Sequence, residues 1–268
     1  MIGETLRQPG ASLCTVNGLV YAQFAGSTSR IVATCGQQAS YLSGTDWLVL
    51  NYPFAADQNQ QVVFTTALSN LIATDDYNAP HQWDGSASTV FQPVAFTGLT
   101  SSLAMARTVT FFQNYLIVGN TVEGGTRRPT RVRWANVGTI NTWSDDDRVD
   151  VDAPAGQELN CMGQLYGDVY LGFTSSLYRM SLTGGSTTFT FTKVSSEVGC
   201  AAKGSMQQVT LANSQTGLLF LDRARNIYLF NGLTPIEVSG SIHGTLENMR
   251  PDRLQYAVSA VDGEHYYL

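Results

Sequence analysis

Short runs of alternating hydrophobic and polar positions recur along this chain, and the clearest lies at residues 166–185. Val169, Leu171 and Phe173 alternate with small or polar neighbours, the period-two pattern of a half-buried strand. Thr174-Ser175-Ser176 supplies turn chemistry. Leu177, Arg179 and Ser181 then alternate against Tyr178, Met180 and Leu182, and Gly184-Gly185 closes the second strand. The same order of apolar strand, polar turn, aromatic-rich strand and Gly stop returns at residues 218–232 and 71–85. Trp83-Asp84-Gly85 stands where Phe230-Asn231-Gly232 stands in the later copy, and Asp-Gly and Asn-Gly both tolerate positive φ in a hairpin. Weaker copies begin at Leu19 and Tyr115, and residues 265–268 read as part of a sixth.

Taking Val20, Leu71, Leu116, Val169, Leu218 and Tyr266 as equivalent points spaces the copies by roughly 45–53 residues, close to the period of propeller blades. A β-sandwich also repeats hairpins, but without a steady long period. The expected fold is therefore all-β and β-propeller-like, with about five to six blades of short antiparallel strands. Residues 1–12 read as an N-terminal arm and residues 13–268 as the propeller-like domain. The run Glu264-His-Tyr-Tyr-Leu268 reads as a strand with neither turn nor cap, so the domain is expected to continue in a longer protein.

Further strands are predicted at residues 29–34, 47–50, 61–66 and 186–194, with connectors at 51–61 and 86–106. Residues 107–119 read as a hairpin turning at Gln113-Asn114. The polar stretch 121–129, with Gly124-Gly125 and Arg127-Arg128, reads as an excursion where a partner could touch or as an exposed hairpin tip. Trp134 and Trp143 flank a short turn and are expected to close a blade by packing. Leu246, Met249 and Leu254 mark one short helix or turn near the C-terminal end.

Only 13% of the residues are charged, and the net charge is −6. A surface built to hold nucleic acid by its phosphates would need clustered Lys and Arg. No apolar run approaches the length of a membrane span, and residues 1–10 carry no apolar signal-peptide core. Synthesis and folding in a reducing cytoplasm are expected. Cys14, Cys35, Cys161 and Cys200 lie far apart with no CxxC pair, so they read as unpaired buried thiols and not as zinc ligands, although Cys14 and Cys35 could bridge.

Candidate catalytic chemistry is sparse. His81, His243 and His265 are too scattered for a two-histidine metal motif, and neither a G-x-S-x-G elbow nor a P-loop occurs. Asp145, Asp150 and Glu197 could supply a carboxylate pair for glycoside hydrolysis, but nothing in their spacing favours it. Residues 144–152 hold five acids, which raises calcium, yet the Gly and terminal Glu of an EF-hand loop are missing. Asp150 and Asp152 read equally as one wet strand face. No catalytic residue, cofactor or metal ligand is assigned.

Two segments resemble the tail hub or nozzle proteins of short-tailed bacteriophages. Tyr170-Leu-Gly-Phe-Thr-Ser-Ser-Leu-Tyr-Arg-Met-Ser-Leu-Thr-Gly184 looks like that family's "hhhFxSxxhEhhxhTG" strand pair, and Glu197-Val-Gly-Cys-Ala-Ala-Lys-Gly204 like the Gly-containing crossover after it. Residues 131–143 look like its Arg-x-x-Trp-Ser…Trp segment, and residues 228–239 like a later blade. The likeness covers residues 107–268. It departs at Tyr178-Arg179, where relatives carry an acid, so no individual contact is carried over. The resemblance implies a non-enzymatic virion protein, assembled in the host cytoplasm, that self-associates in a ring, by family resemblance a hexamer. Such a ring lies below the portal and head-tail adaptor proteins, contacts tail fibre or tailspike proteins, and passes double-stranded DNA without reading its sequence. The alternative is a carbohydrate- or protein-binding propeller using exposed aromatic rings, among them Trp83, Trp134 and Trp143.

Overall fold

A computed structural model describes residues 16–35, 38–50, 61–86, 90–185, 187–211, 215–262 and 265–268. The fold is all-β and propeller-like, as the repeat implied. Five four-stranded antiparallel sheets follow one another, each a meander of consecutive strands. The first comprises Val16–Gln23, Ser29–Cys35, Gln38–Ser43 and Asp46–Leu50, and the second Val63–Ala67, Asn70–Thr74, His81–Trp83 and Gln92–Pro93. The third is built from Leu103–Phe112, Tyr115–Glu123, Thr126–Ala135 and Trp143–Asp150. The fourth runs through Leu159–Leu165, Asp168–Phe173, Leu177–Leu182 and Phe189–Ser195. Gln207–Thr210, Thr216–Leu221, Ile227–Phe230 and Pro235–Glu237 form the fifth, and Tyr266–Tyr267 pairs with Ala260–Val261 in a two-stranded sheet.

One local device recurs. Ser27, Leu68-Ser69, Gln113-Asn114 and Tyr166 all have positive φ, with Gly26 and Gly167 completing the first and last of these turns. Each turn joins the first and second strands of its sheet. Two consecutive residues of positive φ give the backbone twist that suits a tight hairpin. The repeat is thus one of turn geometry as well as of strands.

The chain divides into two compact units, Met1–Arg128 with Val132–Val149, and Pro129–Arg131 with Asp150–Leu268. In the first unit, Trp83 is the centre of a core between the first two sheets. Its ring lies 5.2 Å from Phe24, 5.4 Å from Tyr41 and 5.9 Å from Phe91, within the range where tilted aromatic pairs attract. Leu71, Val32, Ala22 and Leu50 fill the remainder. A second core gathers Ile72, Val109, Leu116, Val118 and Trp143, with Phe96 set against Trp143 at 5.2 Å. In the second unit, Tyr170, Leu177, Leu218, Phe220 and Phe230 pack together, and Tyr170 meets Phe230 edge-on at 4.7 Å. The short helix His243–Leu246 and the 3₁₀ turn Pro251–Tyr256 bring Leu246 and Leu254 onto Leu221 and Ile227, which bears out the helix or turn expected there.

Several expectations need correction. The strand Asp168–Phe173 is not half-buried: Val169, Tyr170, Leu171 and Phe173 are all buried, so both of its faces are covered. Alternation there reflects residue size rather than solvent. Val20 lies in the first strand of its sheet, whereas Leu71, Leu116, Val169 and Leu218 lie in second strands, so the first copy was aligned one strand early. Residues 121–129 form no excursion, because the flanking strands run on to Glu123 and from Thr126 with Gly124-Gly125 as a two-residue turn of positive φ. That is the hairpin-tip alternative. Cys161 and Cys200 are free and buried as expected, but Cys35 is disulfide-bonded. Cys14, the arm at residues 1–12 and most of the connector at 51–61 lie outside the described residues.

Candidate functional site

The densest polar assembly in the first unit sits on the third sheet. Arg133, 1% exposed, donates from Nε and Nη2 to the two carboxylate oxygens of Glu123 at 3.2 and 2.9 Å, and from Nη1 to the Ser144 carbonyl at 2.7 Å. The Thr121 hydroxyl donates to the same carboxylate at 2.8 Å. A buried ion pair is tolerable only when its remaining hydrogen-bonding capacity is met, and here Ser144 and Thr121 meet it. Nearby, Asp76 accepts from Arg107 Nε at 3.0 Å and Arg127 Nη2 at 3.2 Å. These charges are held in place by several partners each, an arrangement that fixes strands.

A cleft of about 510 Å³ lies in the same unit, lined by the second sheet and the turn at residues 139–141. Asn70, Gln82, Gln92 and Asn141 supply its amides, and Leu68 and Trp83 part of its apolar wall. Asn141 Oδ1 accepts from Gln82 Nε2 at 3.2 Å and from the Ala95 backbone N–H at 3.0 Å, which ties the turn to the sheet.

The residues singled out in the sequence are dispersed. Trp83, Trp134 and Trp143 are 1, 4 and 2% exposed, so none offers a ring face to a ligand. Two of the indoles are spoken for internally: Trp83 donates to the Ser86 carbonyl and Trp143 to that of Ile140. These three tryptophans therefore supply no stacking surface for a carbohydrate. In the acidic run, hydrogen bonding by the Thr100 side chain and N–H lowers the pKa of Asp145, while burial raises that of Asp147. In the second unit Asp150 is committed to Arg131 through two contacts of 2.7 Å. Among the described residues, no group of three or more His, Cys, Asp or Glu is placed to hold a metal ion. Glu197 is exposed on the turn after Phe189–Ser195. His81 is mostly buried against the Ala79 carbonyl at 2.6 Å, and desolvation lowers its pKa. His243 and His265 lie on the surface beside Glu247 and Asp262.

Arg131 and Arg133 alternate along one strand, and their partners Asp150 and Glu123 were missed in the sequence. Two arginines alternating in a strand that runs into a buried Trp are a usable signal for buried acids. The cleft amides have no such signal, since they come from positions spread over residues 70–141. No family model matches this chain, and no curated protein matches it either.

Proposed function

We propose that this chain is a structural subunit of the tail of a short-tailed bacteriophage, part of a tail hub or nozzle ring that extends the DNA channel below the portal and adaptor. The observation that carries the reading is the way the two resembling segments meet. The Cys200 N–H donates to the Phe173 carbonyl at 2.7 Å, and Asn160 Nδ2 donates to the Cys200 carbonyl at 2.8 Å. A Cβ on Gly199 would stand 2.2 Å from the Phe173 oxygen and 2.5 Å from the Ser176 nitrogen. Hairpin and crossover therefore form one packed element, and the glycine between them follows from backbone contact. These contacts serve the fold, as expected of a scaffold.

Two further features agree. The outer face of the first sheet exposes Leu19 at 66%, Tyr21 at 61%, Ile31 at 37% and Val49 at 44%, and cross-strand pairing sets Tyr21 beside Ile31. Exposed apolar side chains of this kind mark protein contacts, and a ring subunit needs them on its flanks. The net charge of −6 suits a conduit wall, because acidic walls repel phosphate and let DNA pass without sticking. In this reading the chain acts through shape and contact, and no bond is made or broken.

Mass spectrometry of gradient-purified virions from the producing culture tests the proposal. Peptides of this chain should co-purify with portal and adaptor peptides at constant ratio across the particle peak. Their loss from the particle peak would refute the virion role.

A further inference from the structure

The cleft of the first unit holds amide groups that the fold has oriented and left partly unused. Both acceptor directions of Asn141 Oδ1 are taken, by Gln82 Nε2 and the Ala95 N–H. The Asn141 NH₂ group is thereby presented as a donor. Gln82 gives one NH₂ hydrogen to Asn141, and Asn70 gives one to the Leu68 carbonyl at 3.0 Å. Each amide is thereby oriented and keeps a second NH₂ hydrogen and a carbonyl oxygen to offer a ligand.

We propose that this cleft binds a neutral saccharide residue. Each sugar hydroxyl donates one hydrogen bond and accepts others, so adjacent hydroxyls complement an amide donor beside an amide acceptor. A wholly apolar ligand would strand these groups without partners, at a cost for each. Phosphorylated or carboxylated ligands are disfavoured, because among the described residues Asp84 is the one charged side chain lining the cleft and no Lys or Arg lines it. Leu68, 42% exposed, Val90 and Ile140 provide the apolar wall against which the C–H face of a sugar ring packs. The volume lies within the range of small-molecule sites. Recognition here runs through amides, and the buried indole of Trp83 serves as backing. The proposal does not depend on the virion reading.

Ligand-observed saturation-transfer NMR of the whole chain against a panel of methyl hexosides and methyl N-acetylhexosaminides tests it. At least one glycoside should bind with Kd on the order of 1 mM. Gln82→Leu should weaken it at least about tenfold, and so should Gln92→Arg, which places a long charged chain at an exposed cleft position. Tyr166→Ser in the second unit should leave binding unchanged. Circular dichroism melts establish that each variant is folded, and if Gln82→Leu is not, Gln92→Arg decides alone. The proposal is overturned if no glycoside binds at about 50 mM, if folded variants bind like the wild type, or if only anionic glycosides bind.

Discussion

Arg133 closes Nε and Nη2 on the two carboxylate oxygens of Glu123, at 3.2 and 2.9 Å, in a setting where the two side chains are 1 and 5% exposed. The pair holds the strands Tyr115–Glu123 and Thr126–Ala135 together where their register slips around the buried Asn120. Truncating one partner leaves the other buried and uncompensated. Arg133→Met should therefore cost about 3–5 kcal/mol, read as a lower urea midpoint. The double variant Glu123→Leu/Arg133→Met should recover most of that loss. Equal destabilisation in single and double variants would show that packing, and not charge, is what matters.

Gly199 makes a different kind of demand. A methyl group there meets the Phe173 carbonyl and two backbone nitrogens, none of which can swing aside as a side-chain tip can. Gly199→Ala should lose about 3 kcal/mol by overpacking. Gly185→Ala, which meets nothing within 4 Å, is the control. Thermal melts that coincide for the two variants would contradict the packing described.

The apolar face of the first sheet should govern association. Leu19→Asp/Tyr21→Ser changes two side chains, each more than 60% exposed, so monomer stability should stay within about 0.5 kcal/mol. Assembly measured by light scattering at increasing concentration should shift by at least about tenfold. An unchanged association curve would leave that face without a role in the ring.

His81 should add pH dependence to stability. Burial depresses its pKa below 6.5 in the folded protein, so the unfolded chain takes up a proton first as pH falls. The neutral ring's contribution is complete above about pH 6.5 and declines as pH falls toward the folded value. His81→Gln should flatten the unfolding free energy between about pH 7 and pH 5. An identical pH slope in wild type and variant would contradict this.

The fold was largely legible, and the reasons differ from element to element. Val169 to Leu182 could be read because strand alternation and a Ser-rich turn agree. The turn at Leu68-Ser69 could not, since neither residue carries the Gly or Asn signature of the positive φ it adopts. The first repeat was misaligned because Val16–Gln23 and Ser29–Cys35 have similar apolar content, and only pairing tells a first strand from a second. The packing role of Trp134 and Trp143 could be read from their place beside a short turn, and both rings are buried, as is that of Trp83. The cleft was invisible for a geometric reason: Gln82 and Asn141 become neighbours only once the second and third sheets pack.

The central claim is a place in the virion, and immunogold electron microscopy with an antibody to this chain tests it most directly. The account predicts gold confined to the tail vertex, on intact particles or on particles disrupted to open the tail. Gold absent from both preparations would contradict it.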